Sequence, residues 1–359
     1  MSAVGLTRSL VAVCTALLLL GACAPATPTG GAPSNKPAAP APAAGQPAAP
    51  APAAPQKLTF VTDFGFLGRH SMFYTALEKG FWKDAGFDVS IVRGGGTLDA
   101  LKQIAAGRAD FGFADTGGLI AARATEDIPV KELAIIYQRA PQAIYCLEES
   151  GLRTPKDLEG KVLSDSAASS LPKIFPAYAR LAGIDNSKVT WKYADSATLP
   201  ALLNTKQVDC ISQFVVGEPL LEAALGGKKL TRFAFADAGM DMYANGIATA
   251  SETIRKDPEM VRRFVAATLK GVQYAFDHPE EAGQIMNRAH PEVAADVAAG
   301  ETRIVRELAV TDDTRRLGLG AIDAARMEKT RDLLSDALEL PQRTPVDELY
   351  APGFTPPPS

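Results

Sequence analysis

Residues 87–113, FDVSIVRGGGTLDALKQIAAGRADFGF, hold a strand, a glycine turn, a helix and a second strand in one unit. Val89, Ile91 and Val92 make 89–92 a strand, since β-branched side chains fit a pleated surface. Gly94, Gly95 and Gly96 form the turn. Thr97 caps a helix that runs to Ala106, with Asp99 placed to meet the positive end of the helix dipole. Gly107 closes the helix, and 111–113 begins the next strand.

The same rhythm extends outward. Upstream, 58–62 reads as a strand and 71–79 as a helix stopped by Gly80. Downstream, 133–137 reads as a fourth strand. After Pro141 the pattern restarts, with strands at 143–147, 161–163, 189–193 and 208–212 and helices at 172–181 and 199–204. Strands alternating with helices predict parallel, doubly wound sheets in two α/β units. From about Asn245 the pattern reads as helical. Asp257 is a good N-cap before Pro258, and Met260, Val261, Phe264, Val265, Leu269, Val272 and Phe276 recur at helical spacing. Helix continues to about Leu338, ahead of a proline-rich tail.

The N-terminus has a different character. Arg8 precedes an apolar run at 10–20, the length of a secretory h-region and short for a membrane span. The run ends in Leu20-Gly21-Ala22-Cys23, which resembles the bacterial lipobox, in which the cysteine is diacylated. Two acyl chains anchor a protein stably where one holds it only marginally. Residues 24–56 are Ala/Pro/Gly-rich, a composition suited to a tether and unable to form a core. The division predicted is signal peptide 1–22, lipidated Cys23 and tether 23–56, lobe one 57–140, lobe two 141–240, completion of lobe one with C-terminal helices 241–345, and a flexible tail 346–359.

The chain of 359 residues is 47% hydrophobic and carries a formal net charge of −4. That charge, with no Lys/Arg block, argues against nucleic-acid binding. Three histidines and four cysteines leave little material for a metal site. Cys146 and Cys210 lie in strand-like segments and read as small buried residues; a disulfide between them is open in an exported protein.

Four segments carry a resemblance. They are Tyr74-Thr75-Ala76-Leu77-Glu78-Lys79-Gly80-Phe81-Trp82 with Gly86-Phe87-Asp88-Val89; Ala105-Ala106-Gly107-Arg108-Ala109-Asp110-Phe111-Gly112; Gly151-Leu152-Arg153-Thr154-Pro155-Lys156-Asp157-Leu158-Glu159-Gly160-Lys161; and Lys256-Asp257-Pro258-Glu259-Met260-Val261-Arg262-Arg263-Phe264. In this order they resemble the periplasmic solute-binding proteins that include alkanesulfonate-, nitrate- and thiamine-pyrimidine-binding members. The resemblance implies a two-lobed, type II periplasmic binding protein with C-terminal helices returning to lobe one. It implies hinges near 137–143 and 233–245 and a lipoprotein that serves an ABC permease and ATPase as a monomer. No cofactor is implied.

Open α/β sheets bind ligands beyond the carboxyl ends of their strands. That rule selects Asp63, Phe64, Phe66 and His70 after the first strand, and Gly95 and Gly96 in the glycine turn. It selects Asp115 and Thr116 after the third strand and Gln138 after the fourth. In the second unit it selects Ser164, Ser166, Ser169, Gln213, Phe214 and Glu218, with Tyr243 and Asn245 at the second crossover. Phe64 or Phe66 either stacks on a flat ligand or packs under its loop. The serines either hold a polar group or form a capped turn. Asp63, Asp115, Asp165 and Glu218 suit a neutral or cationic, pyrimidine-like heterocycle better than a sulfonate or nitrate, which calls for fixed N–H donors and a cation.

The rival reading is an enzyme, since the thiamine-pyrimidine synthases share this fold. Their resemblance calls for a cofactor-bearing Lys and a His just after the third strand, where this chain has Ala114 and Gly118. It also calls for a cysteine-rich motif where 243–248 reads YANGIA. A serine hydrolase is unsupported, as no G-x-S-x-G occurs. The reading is therefore a binding protein with no catalytic residues and no metal.

Overall fold

The computed structural model describes residues 30–31, 54–167 and 169–357. Cys23 and the leader lie outside the described residues. The described fold lies in the compact unit Ala53–Ser359.

Twelve strands are laid down in chain order: β1 Gln56–Val61, β2 Phe64–Gly65, β3 Phe87–Val92, β4 Gly94–Gly95, β5 Phe111–Asp115, β6 Val130–Ile135, β7 Gln142–Leu147, β8 Val162–Asp165, β9 Thr190–Tyr193, β10 Cys210–Phe214, β11 Leu230–Ala234 and β12 Asn245–Ala250. Lobe one is a sheet of order β3-β1-β5-β12-β6, lobe two a sheet of order β11-β7-β10-β8-β9, and β2 pairs with β4. β1 runs parallel to β3 and β5, and β8 runs parallel to β9 and β10. β12 is antiparallel to both its neighbours, as is β7. Each of these two strands enters from the other lobe, so it runs against the sheet it joins. The protein is thus a two-lobed α/β molecule with the periplasmic-binding-protein fold, its lobes joined by the crossovers 136–141 and 235–244.

Two features correct the sequence reading. The chain does not turn helical at Asn245: it first forms β12, buried along most of its length. The segment Asn-Gly-Ile-Ala-Thr-Ala has few strand formers, but Gly246 lies where any Cβ would stand 2.5 Å from the Ala134 carbonyl. Close packing selects the small residues, and low β-propensity hides the strand. The sheets are also mixed, not wholly parallel.

The chain after the second crossover returns to lobe one. Helix Pro258–Asp277 lays Phe264 on Phe111, rings stacked 3.8 Å apart, and Thr268 accepts a 2.9 Å hydrogen bond from the Trp82 indole. Its apolar stripe is the one expected from the spacing, and the Asp257 side chain caps Met260 N–H at 2.9 Å. Helix Ala324–Ala337 packs on helix Thr116–Glu126 of lobe one and on helix Leu171–Ala182 of lobe two. In lobe two, Cys146 and Cys210 are register partners on β7 and β10 and form a disulfide.

Candidate functional site

Between the lobes lies a cavity of about 610 Å³, in the range of small-molecule sites. Lobe one lines it with Asp63, Thr97, Asp115, Gly117 and Gly118. Lobe two supplies Gln142, Ser169, Ser170, Lys173 and Phe214. The second crossover contributes Met242 and Asn245, and helix 324–337 with the following turn adds Leu334, Leu338 and Leu340. One side is therefore polar and another aliphatic.

Three oxygens at this site are buried and have no partner among the described residues: Asp115 Oδ2, Gln142 Oε1 and Asn245 Oδ1. Asp115 and Asn245 are register partners on β5 and β12, so their side chains start from adjacent backbone. An unpaired buried acceptor costs about 1–3 kcal/mol, and all three belong to residues that line one cavity. Asp115 also caps helix 116–126, its Oδ1 accepting from Gly118 N–H at 2.9 Å. Burial pushes the Asp115 carboxyl up to about 6, against the Gly118 hydrogen bond, and nearby Asp63 adds to the rise. Lys173 is the single cation among the described lining residues.

Asp63 is already occupied. Oδ1 accepts from Phe64 N–H at 2.8 Å and lies 2.7 Å from His70 Nε2. Arg69 Nη2 reaches both oxygens at 3.2 and 3.1 Å, and Asn245 Nδ2 donates to Oδ2 at 3.0 Å. Burial opposes ionisation, but Arg69 and His70 outweigh it and hold the carboxyl at about 2. His70 Nδ1 accepts from Leu67 N–H at 3.1 Å, so the ring is the Nε2–H tautomer, with both nitrogens used. Burial lowers its pKa, in keeping with a neutral ring.

Asp63, Asp115, Ser169, Phe214 and Asn245 meet at the cavity; the other selected residues stand elsewhere. Phe66 stacks on His290 with centroids 4.1 Å apart, and Phe64 is exposed on β2. Gly95 pairs with Phe64, and Gly96 leads into the helix at φ 133°, where only glycine is unstrained. Thr116 donates to the buried Glu132 at 2.8 Å, and burial raises that carboxyl well above its usual range. Gln138 donates to the carbonyls of Ile135 and Ala321 at 2.8 and 3.0 Å. Ser164 is buried in β8 with its hydroxyl unpartnered, and Ser166 donates its N–H to Asp165 at 2.6 Å. Gln213 is half-buried on β10, against Gly217. Glu218 accepts from Tyr145 and Arg232, both at 2.7 Å. Tyr243 accepts from Asp323 N–H at 3.0 Å.

Gln142 and Thr97 were not selected. Thr97, expected to cap its helix, is instead the first helical residue after the N-cap Gly96, and its hydroxyl accepts from Asp115 N–H at 3.3 Å. Gln142 stands at the amino end of an antiparallel strand, where the carboxyl-end rule does not look. Among the described residues no cluster of His, Cys, Asp and Glu could hold a metal ion.

A family model described as "NMT1/THI5 like" matches residues 68–282. The chain is 26% identical to a riboflavin-binding protein, RibY, of Chloroflexus aurantiacus, over 95% of each chain. It is 24% identical to a 4-amino-5-hydroxymethyl-2-methylpyrimidine phosphate synthase of Legionella pneumophila, over 62% of this chain and 71% of that one. Among solved structures, the periplasmic aliphatic sulphonate binding protein SsuA of Escherichia coli superposes with a TM-score of 0.67 at 15% identity, covering 83% of this chain and 93% of the other.

Proposed function

The chain belongs to the NMT1/THI5-like family, and on that premise we propose that it is the substrate-binding lipoprotein of an ABC importer, capturing an aromatic heterocycle rich in hydrogen-bond donors. The observation that carries this reading is the set of three unpartnered oxygens on Asp115, Gln142 and Asn245. A flat ring with N–H or O–H donors at its edge satisfies them while its faces meet Met242, Phe214 and the Leu334–Leu338 wall. Riboflavin, with an imide N–H and a polyhydroxyl chain, has this character and is our first candidate, in line with the relative that matches 95% of the chain.

An anionic ligand fits less well. The lobe-one helix that could offer free N–H groups has its first turn capped by Asp115. A sulfonate there would face a carboxylate. The synthase reading finds no support in residues, since Ala114 and Gly118 stand where the resemblance calls for Lys and His.

Export and anchoring belong to the same proposal. They rest on Arg8, the apolar run 10–20 and Cys23. The Cys146–Cys210 disulfide adds support, because such bonds persist in oxidising compartments. Among the described residues no helix is long and apolar enough to cross a membrane. Substituting Cys23→Ser should move the protein from the membrane to the soluble fraction on cell fractionation; continued membrane association would remove the anchor. For the ligand, titration calorimetry with riboflavin should give saturable one-to-one binding to the wild type. Asn245→Leu should lower the affinity at least thirtyfold.

A further inference from the structure

A carboxamide can present either oxygen or N–H₂ to a ligand, and a rotation of its end group exchanges them. At Asn245 that choice is already made. Nδ2 donates to Asp63 Oδ2 at 3.0 Å, and a carboxylate accepts but does not donate. Oδ1 is left buried and unpartnered, in a residue that lines the cavity. Asp63 cannot turn away, because Arg69, His70 and Phe64 N–H fix its two oxygens. Arg69 is fixed in turn, its own N–H donating to Glu301 Oε2 at 2.6 Å.

We propose that Asp63 sets the ligand specificity of this cleft without touching the ligand, by holding Asn245 as an obligate acceptor. This rests on the cleft being the ligand site. A ligand group that donates at this point is admitted, and one that only accepts is rejected, because it would leave two lone pairs face to face. Asp63 is a positioning residue, and Asn245 is the contact it positions.

The same residue staples the hinge. The Asn245 carbonyl accepts from Ile136 N–H and Tyr137 N–H, both at 2.9 Å, and Ala244 N–H donates to the Tyr137 carbonyl at 3.0 Å. The contact that reads the ligand therefore sits where the two crossovers are bonded together. Its carboxamide is held from lobe one, and its backbone belongs to the hinge.

The test exchanges the two groups. In the single variant Asp63→Asn the carboxamide at 245 is free to rotate, and riboflavin affinity should fall at least tenfold with the far-ultraviolet circular dichroism unchanged. In the double variant Asp63→Asn/Asn245→Asp the hydrogen bond re-forms with its donor and acceptor exchanged, and an oxygen again faces the cavity. Affinity should return to within about threefold of wild type, a rescue that a merely structural Asp63 would not give. Wild-type affinity in the single variant, or a folded double variant with no recovery, would overturn the inference. A ligand-free measurement covers the other cases, including failure of the single variant to fold. In nitrogen-15 spectra of the wild type, the Nδ2 protons of Asn245, assigned through Asn245→Ser, should be slow to exchange with solvent. Fast-exchanging protons would overturn the inference. Failure of wild type to bind riboflavin would instead remove the flavin reading, and the spectra would still decide the orientation.

Discussion

Asp63 and Asp115 carry the same functional group on neighbouring walls of one cleft, and their surroundings drive them apart. Asp63 is held at about 2 by Arg69 and His70 despite burial, so it contributes stability above the ordinary aspartate pKa and loses it as pH falls toward 2, worth about 2 kcal/mol. Asp115, raised to about 6 by burial, has the opposite sign: stability is lost as pH climbs from about 4 through 6. Glu301, raised by burial to about 7, continues the decline. Chemical denaturation of the ligand-free protein should therefore give a maximum near pH 4–5 and a fall toward pH 7. Asp115→Asn should flatten that fall, gaining roughly 1–3 kcal/mol at pH 7, and should weaken riboflavin binding at least tenfold. A wild-type stability that rises from pH 5 to 7 would contradict the assignment. A ligand that donates to Asp115 favours the ionised form, so affinity should strengthen as pH rises through about 6. Both carboxylates were legible in the sequence, because strand ends in open α/β sheets point at ligands. Their division of labour was not, since it depends on Arg69 turning back onto Asp63.

At the scale of elements, the two antiparallel strands explain what the sequence hid. Gln142 begins β7 and Asn245 begins β12, and both strands enter from the opposite lobe, so their amino ends face the cleft. Asn245 was selected as a crossover residue, whereas Gln142 carried no such mark. The Leu334 wall comes from a helix 200 residues from β5 in sequence, and no local pattern announces that helix 324–337 packs against both lobes. Leu334 is fully buried, so Leu334→Ala should cost about 2–4 kcal/mol in denaturation and also loosen the ligand. The Cys146–Cys210 bond joins neighbouring strands across a sequence separation of 64, a loop whose closure is worth about 4 kcal/mol on the chain-entropy model. Reduction, or paired substitution to alanine, should lower the unfolding free energy by that order, and the midpoint with it, while leaving β7 and β10 paired through their ladder. An unchanged midpoint under reductant would contradict it.

For the whole molecule, the glycine-turn unit at 87–113 and its repetition made the α/β class legible, and four short segments in order made the family legible. A ligand that prefers one arrangement of two lobes stabilises that arrangement by as much as it prefers it. Ligand at a hundred times its Kd adds about 2.7 kcal/mol to the stability of the form that binds it. On the proposed function the cleft takes a donor-rich heterocycle in preference to an anion. The most direct test is titration calorimetry of the purified chain at pH 7 with riboflavin and, separately, with an alkanesulfonate. Riboflavin should bind saturably, at least thirtyfold more weakly in Asn245→Leu, and the sulfonate should give no measurable heat. Tight sulfonate binding with none of riboflavin would contradict it.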